Sequence, residues 1–366
     1  MERLGGSIKI AEELGRDVPA QRALEIMAAE AHLRSGKIAF GISVYDDSLT
    51  PVDASALTSD WAKEIKTNLK AQGRSVRFIE SDEGVLNSAT VFHNHLHTKG
   101  CEFIVRAHAG RYSVAVTRAV QPLSDLSRRD FGRPGRDDVS GMLPPKLALM
   151  MINLGILNFR PASPVVGFEN FDFTILDPFC GSGTILTEAA RLGITKLSGT
   201  DVSKKAIDDT KRNLDWTIAQ NLKLKILNLK LFISDVAHLP SHIQPNDVDA
   251  IITEPYMGPP LRGAESPDQI KKTTNELADL YLQAFTSFTQ ILKPTASVVF
   301  VIPRFTVSGH TYTISDKIIG KLKDLGFAKE RLVPESISPT TYILYQRPRQ
   351  FVGREIWKFT YQKTDS

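Results

Sequence analysis

Two short stretches of this chain carry residue types that suit chemistry. The first is Asp177-Pro178-Phe179-Cys180-Gly181-Ser182-Gly183-Thr184, a glycine-rich turn between an apolar run and a helical pattern. The second, Thr253-Glu254-Pro255-Tyr256, closes another apolar run with an acid, a proline and an aromatic. Gly181 and Gly183 let the backbone pass close to a ligand with no side chain in the way. The helix beginning beyond Thr184 offers N–H groups to a carboxylate. Glu254 and the Pro255 carbonyl supply two hydrogen-bond acceptors, which is what an aromatic base amine needs. Such an amine is a poor nucleophile because its lone pair is delocalised into the ring. Two acceptors on its N–H groups make the nitrogen pyramidal and aim the lone pair at an electrophile. Proline donates no competing N–H there, and Tyr256 suits stacking on an unstacked nucleobase. The plainer reading of the second stretch is a strand ending in a turn, which Gly258-Pro259-Pro260 supports locally.

These residues need elements to position them. From Phe173 onward, strand patterns alternate with helix patterns, which argues for a parallel sheet with crossover connections. Strands are expected at Thr174–Asp177, Leu197–Asp201, Lys230–Asp235, Val248–Thr253 and Ala296–Pro303, and tail strands around Thr341–Gln346 and Glu355–Tyr361. Which of these closes the sheet as an antiparallel hairpin stays open. Helices are expected at Ile185–Leu192, from a Ser203 cap to about Gln220, at Glu276–Leu292 and at Asp316–Leu325. In an open α/β sheet the ligand sits at the carboxyl ends of the strands. Asp177, Asp201 and Asp235 are expected to end three successive strands there. Asp201 follows Asp177 by 24 positions, a spacing at which an acid can accept from both ribose hydroxyls. Asp235 can accept from an adenine amino group. Acids also end strands because they cap the next turn. A nicotinamide site would show G-x-G-x-x-G, but Ile185, Leu186 and Thr187 follow Gly183, so the third glycine is absent.

The N-terminal part is organised differently. Lys37–Tyr45 and Ser75–Glu80 read as strands. Between them Leu57, Trp61, Ile65 and Leu69 mark one face of a helix over Ala56–Ala71, stopped by Gly73. Phe103–Arg106 and Tyr112–Arg118 read as a hairpin around Ala109-Gly110. This is a small α+β domain with no catalytic constellation of its own. Residues 1–120 form that expected domain, 121–145 an arginine-, glycine- and proline-rich connector, and 146–366 the α/β domain.

Composition bounds the rest. The chain has 366 residues, a net charge of +4, 42% apolar residues and two cysteines, Cys101 and Cys180. A disulfide scaffold and a cysteine-rich zinc site are excluded, and a reducing cytoplasm fits. No apolar run approaches the roughly 18 residues a membrane span needs. The mild positive charge permits nucleic-acid binding without arguing for it.

The two chemical stretches resemble known motifs. Asp177–Thr184 is similar to the first motif of the amino-methyltransferases, and Glu254–Tyr256 resembles their Asp/Asn-Pro-Pro-Tyr motif. Ser140-Gly141-Met142-Leu143-Pro144-Pro145-Lys146-Leu147-Ala148 resembles the element that precedes the first motif and packs near the methionine end of the cofactor. With Arg129-Asp130-Phe131-Gly132-Arg133-Pro134, these stretches resemble the THUMP-domain RNA methylases, and among them the tRNA guanine-N2 methyltransferases acting at tRNA position ten. The resemblance covers residues from about 120 to 366. Before 120 it is to a THUMP-type RNA-binding module that begins abruptly, as if part were missing.

The resemblance implies a Rossmann-like class I methyltransferase sheet and S-adenosyl-L-methionine as cofactor. It implies cofactor contacts at Asp177, Phe179, Gly181, Gly183, Thr184, Asp201, Val202, Asp235, Val236 and Pro144, and catalytic roles for Glu254, Pro255 and Tyr256. The implied partner is tRNA, with room for a small activator subunit that no feature of the sequence identifies. The chain departs from the motif in having Glu254, one methylene longer than aspartate, and one proline before Tyr256. A DNA amino-methyltransferase acting on adenine N6 or cytosine N4, and an inactive cofactor-binding RNA-binding protein, are the alternatives. Cys180 is expected to be a small buried residue, because the cysteine of cytosine-C5 methylation follows a proline where this chain has Tyr256.

Two further clusters bear on partners. His93, His95 and His97 alternate and are expected on one face of a strand, without the further ligands a metal needs. Arg128, Arg129, Arg133 and Arg136, interleaved with Phe131, could hold RNA phosphates. Asp130, Asp137 and Asp138 make a salt-linked connector the competing reading.

Overall fold

The computed structural model describes residues 1–45, 51–136, 142–157, 173–220 and 226–363. Asp137, Asp138, Ser140 and Gly141, named above, lie outside them. The chain divides into two units, Met1–Asp125 and Leu126–Ser366.

In the first unit, β1 (Lys9–Val18), α1 (Ala20–His32), β2 (Ile38–Tyr45), α2 (Pro51–Ala71), β3 (Val76–Ile79), α3 (Ser88–His93), β4 (Cys101–His108) and β5 (Arg111–Val120) follow in order. The sheet order is β1-β5-β4-β2-β3. β2 runs parallel to β3 and β4, whereas β5 is antiparallel to β4 and β1. Ala109 (φ 49°) and Gly110 (φ 76°) make the tight turn of the β4–β5 hairpin, because two positive-φ residues match the twist of the strands they join. The helices bury Leu24, Met27, Trp61, Ile65 and Leu69 against Phe40, Ile42 and Phe103 of the sheet. Inside it Glu102 is fully buried, ion-paired to Lys9 and bonded by the Ser43 hydroxyl at 2.7 Å and the Thr117 hydroxyl at 2.6 Å. A buried carboxylate needs such partners.

The histidine strand is corrected. Asn87 accepts from the Thr90 N–H at 2.8 Å and so starts a helix that His93 closes. His95 sits in the following turn at φ 54°, and the His97 ring stacks on Phe92 with centroids 5.7 Å apart. No strand presents the three rings together.

The second unit holds α4 (Leu123–Phe131), which straddles the division, then α5 (Pro145–Ile156), β6 (Thr174–Asp177), α6 (Thr184–Arg191), β7 (Lys196–Asp201), α7 (Lys204–Gln220) and β8 (Asn228–Ile233). After a 3-10 helix at Val236–Ser241 come β9 (Val248–Thr253), α8 (Pro267–Phe288), β10 (Leu292–Val307), β11 (His310–Thr313), α9 (Ser315–Asp324), β12 (Phe327–Glu330), β13 (Ile343–Tyr345) and β14 (Val352–Tyr361). The main strand order is β12-β14-β10-β9-β6-β7-β8. β8, β7, β6, β9 and β10 are mutually parallel, and β14 is antiparallel to β10 from Ser297↔Thr360 to Phe305↔Val352. That pairing answers which tail strand closes the sheet.

The central strands β6, β9 and β10 are apolar on both faces because both are covered, as parallel sheets require. Along β10, Val298, Phe300 and Ile302 pack with Tyr281, Phe285 and Phe288 of α8. Val299 and Val301 pack on the other side with Leu147, Met151, Ile185 and Leu186 of α5 and α6. The expected helix at Glu276–Leu292 is shifted. α8 begins nine residues earlier, where Ser266 and Gln269 form a reciprocal capping box and Pro267 opens the first turn. Leu292 belongs to β10. β8 likewise ends at Ile233, and Asp235 starts the 3-10 helix instead of ending the strand.

Candidate active site

Strand order reverses between β6 and β9. β6, β7 and β8 step one way and β9 and β10 the other, leaving a crevice beyond the strand ends where open α/β sheets bind ligands. The glycine turn lies at the end of β6, and Glu254-Pro255-Tyr256 at the end of the neighbouring β9.

The turn is held by backbone and side-chain bonds from β7 and α7. The Cys180 N–H donates to the Thr200 carbonyl at 2.9 Å, and the Thr200 hydroxyl to the Pro178 carbonyl at 3.0 Å. From α7, the Thr210 hydroxyl donates to the Gly181 carbonyl at 2.8 Å and Asn213 Nδ2 to the Ser182 carbonyl at 2.7 Å. Thr200, Thr210 and Asn213 were not singled out from the sequence, because nothing in their own surroundings marks a residue that bonds 22 to 31 positions away. Gly183 precedes α6 at φ 80°, and a Cβ there would lie 2.8 Å from Thr210, so glycine is required. Gly181 is at φ 52°, and a Cβ on it would meet no atom within 4 Å. Its outer side is open to a ligand.

The acids serve the turn as well as facing the crevice. Asp201 accepts from the Gly181 N–H at 3.0 Å and the Ser203 N–H at 2.9 Å, which leaves part of its carboxylate for further donors. Asp235 accepts from the Ala237 N–H at 2.8 Å. Asp177 is only 2% exposed and accepts from the Thr253 hydroxyl at 2.7 Å and the Phe179 N–H at 3.3 Å. Burial pushes its carboxyl up to about 7. The two hydrogen bonds oppose that rise, and the nearby Asp201 and Glu254 charges add to it. Val236 packs in the core beneath the 3-10 helix. The side chains of Asp177 and Val236 are therefore both buried in the interior beside the turn. Val202 is 68% exposed and Phe179 partly buried. Pro144 caps α5. Cys180 is buried, and burial raises its thiol well above its ordinary range, with the Asp177 charge adding to the effect.

The arginine reading divides. Arg129 is buried and ion-paired to the buried Glu188. Arg133 is buried too, donating from Nη1 to the Thr184 hydroxyl and from Nη2 to Met142 sulfur at 3.1 Å. Both guanidinium groups are spent on internal partners, which weighs toward the salt-linked reading at these two positions. Arg128 is exposed and donates to Gln220 at 2.7 Å, and Arg136 donates to the Phe131 carbonyl at 2.8 Å over the Phe131 ring.

Arg133 matters instead for the first turn of α6. Its buried Nε has no partner among the described residues. A buried cation beside N–H groups that an α-helix cannot bond internally suits an anionic ligand end, such as a methionine carboxylate.

At the end of β9, Pro255 is buried and the Tyr256 ring is 57% exposed. The fully buried Tyr281 of α8 donates from its hydroxyl to the Tyr256 carbonyl at 2.7 Å, pinning the segment. Glu254 is half-buried, and Oε1 accepts from Nε of Arg354 on β14. Sequence reasoning passed over Arg354, which lies 100 positions away.

Comparison with known proteins agrees with this arrangement. Residues 170–324 match the family described as "Methyltransferase domain". The chain is 30% identical over 139 residues to a tRNA (guanine(10)-N2)-dimethyltransferase of Methanothermobacter thermautotrophicus, covering 38% of this chain and 34% of that protein. It is 34% identical over 119 residues to the protein of that name from Methanocaldococcus jannaschii, covering 32% and 29%. The chain thus spans about a third of the length of these curated relatives. Among solved structures it is similar in fold to TrmN from Thermus thermophilus, with a TM-score of 0.52 and 16% identity over 97% of this chain and 83% of that one. The second unit is a Rossmann-like class I methyltransferase fold, and S-adenosyl-L-methionine is its cofactor. The residues fit that group: an open glycine turn, acids at strand ends and a buried cation at the start of α6.

Proposed function

We propose that this chain methylates the exocyclic N2 of a guanine in tRNA, at position ten as the relatives' names suggest. The observation that carries the reading is the exposed Tyr256 ring next to Glu254, at a strand end beside the cofactor turn. When bound, S-adenosylmethionine supplies a methyl group on a positively charged sulfur, which an amine lone pair attacks as the carbon–sulfur bond breaks toward sulfur. Glu254 and the Pro255 carbonyl accept from the amine N–H groups, and the carboxylate stabilises the positive charge that develops on nitrogen before one of its protons passes to solvent water. Asp201 and Asp235 hold the nucleoside part of the cofactor, and Arg133 with the first turn of α6 its carboxylate. Tyr256 stacks on the extruded base.

On this reading the N-terminal domain, residues 1–120, is a THUMP-like RNA-binding module, and 121–145 connects it to the methyltransferase domain of residues 146–366. The partner is tRNA in the cytoplasm, with or without a small activator subunit. Among the described residues no helix is long and apolar enough to cross a membrane. Methyl incorporation from labelled cofactor into unmodified tRNA and into duplex DNA tests the reading. Incorporation into tRNA alone is expected. Incorporation into DNA alone would place the chain with the DNA amino-methyltransferases, and none into either would leave a cofactor-binding protein without this activity.

A further inference from the structure

Glu254 is an unusual acid for its place, because the motif it resembles uses aspartate or asparagine. A glutamate carries one more rotatable bond, and a freely turning carboxylate cannot hold an amine in one orientation. The fold supplies a restraint. β14 is antiparallel to the strands of the parallel sheet, so its first residues lie where the other strands end. Arg354, the third residue of β14, stands opposite Pro303 of β10, and β10 in turn pairs Phe300 with Thr253 of β9. Arg354 must therefore reach across β10, about two strand spacings of roughly 4.8 Å each, to the residue that follows β9. An arginine is long enough for that span, and its Nε meets Oε1 of Glu254.

The contact is selective in its atoms. Arg354 Nε donates to Oε1 of Glu254, and Oε2 has no hydrogen-bond partner among the described residues. Both side chains are largely shielded, 19% exposed for Arg354 and 14% for Glu254. A shielded ion pair contributes little to stability over an apolar pair of the same shape, so stability alone does not explain its presence. Its effect is to remove the rotational freedom of the carboxylate while leaving one oxygen available.

We propose that Arg354 is the positioning residue for Glu254: its guanidinium holds Oε1 so that Oε2 meets the target amine. This rests on the reading of Glu254 as the amine acceptor. The longer acid and the distant arginine are then one device, and the departure from the aspartate motif is compensated within the chain.

The test is single-turnover methyl transfer to tRNA by the full chain, with tRNA and cofactor affinities measured alongside. Arg354→Met is expected to slow transfer by about 10- to 100-fold, the range for losing a hydrogen bond to a charged group, with both affinities kept. Arg354→Lys, which keeps the charge but not the planar fork, is expected to recover part of the rate. Glu254→Ala is expected to be nearly inactive, and adding Arg354→Met to it to change nothing further. Transfer at the wild-type rate in Arg354→Met, while Glu254→Ala is inactive, would overturn the positioning role and leave the acceptor reading standing. Loss of cofactor binding in both Arg354 variants would make the pair a structural clamp and also overturn it. Wild-type transfer by Glu254→Ala would instead overturn the acceptor reading on which the proposal rests.

Discussion

At the scale of single residues, the acids near the crevice differ in what they hold and in how they titrate. Asp201 ties Gly181 and Ser203 in place through its own carboxylate, so Asp201→Ala removes support for the turn and, on the proposed reading, an acceptor for the cofactor. Cofactor affinity is expected to fall roughly 10-fold or more, as loss of hydrogen bonds to a charged acceptor implies. Calorimetry giving unchanged affinity would remove Asp201 from the cofactor site. Asp177 behaves oppositely. Its ordinary value is 3.8, and burial holds it at about 7 in the folded chain. Between those values the folded state binds more protons than the unfolded one, so this group subtracts stability as pH rises. The deficit is absent below the lower value and complete above the upper one. Asp177→Asn keeps an acceptor for Thr253 and Phe179, and is expected to melt higher than wild type at about pH 8 and to lose that advantage near pH 4. Parallel melting curves for the two proteins across that window would show that Asp177 is not a buried, raised acid.

At the scale of elements, the glycine turn and the strand ends were legible in the sequence because their signals are local. A run of apolar residues, a Gly-x-Gly and a following helical pattern lie within one βα unit. The start of α8 was missed although Ser266, Pro267 and Gln269 spell its capping box, because the apolar periodicity is clearer further along the helix. The histidines misled because alternation in a short polar run was read as strand period, while the Asn87 cap set a helix. β1 and α1 passed unread, although Ala23, Leu24, Met27, Ala28 and Ala31 recur at helical spacing. What no local signal carries is long-range: Thr210 and Asn213 on the turn, Arg133 on Thr184, and Arg354 on Glu254. The two glycines of the turn make separable expectations. Gly183→Ala forces a Cβ against Thr210 at positive φ and is expected to destabilise by about 1–3 kcal/mol. Gly181→Ala has room for its methyl group, so its loss should appear mainly in cofactor affinity. Thermal melting and calorimetry on both variants check this, and a reversed pattern would mean that the open side of Gly181 does not face the ligand.

At the scale of the whole molecule, the second unit has its own sheet with a core on each face, one around Phe285 and Phe300 and one around Ile185 and Ile252. If the first unit captures RNA, residues 126–366 alone should keep cofactor affinity and lose most tRNA affinity. Binding by the full chain should weaken steeply with added salt as phosphate contacts release counterions. Equal tRNA binding by the full chain and the isolated unit would give the first unit another role. The product of the reaction bears most directly on the central claim. Unmodified tRNA incubated with the full chain and S-adenosylmethionine should, on digestion to nucleosides and mass spectrometry, yield guanosine methylated at N2. Methylation only on another base, or on a guanine atom other than N2, would contradict the assignment of Glu254-Pro255-Tyr256 to a guanine amine.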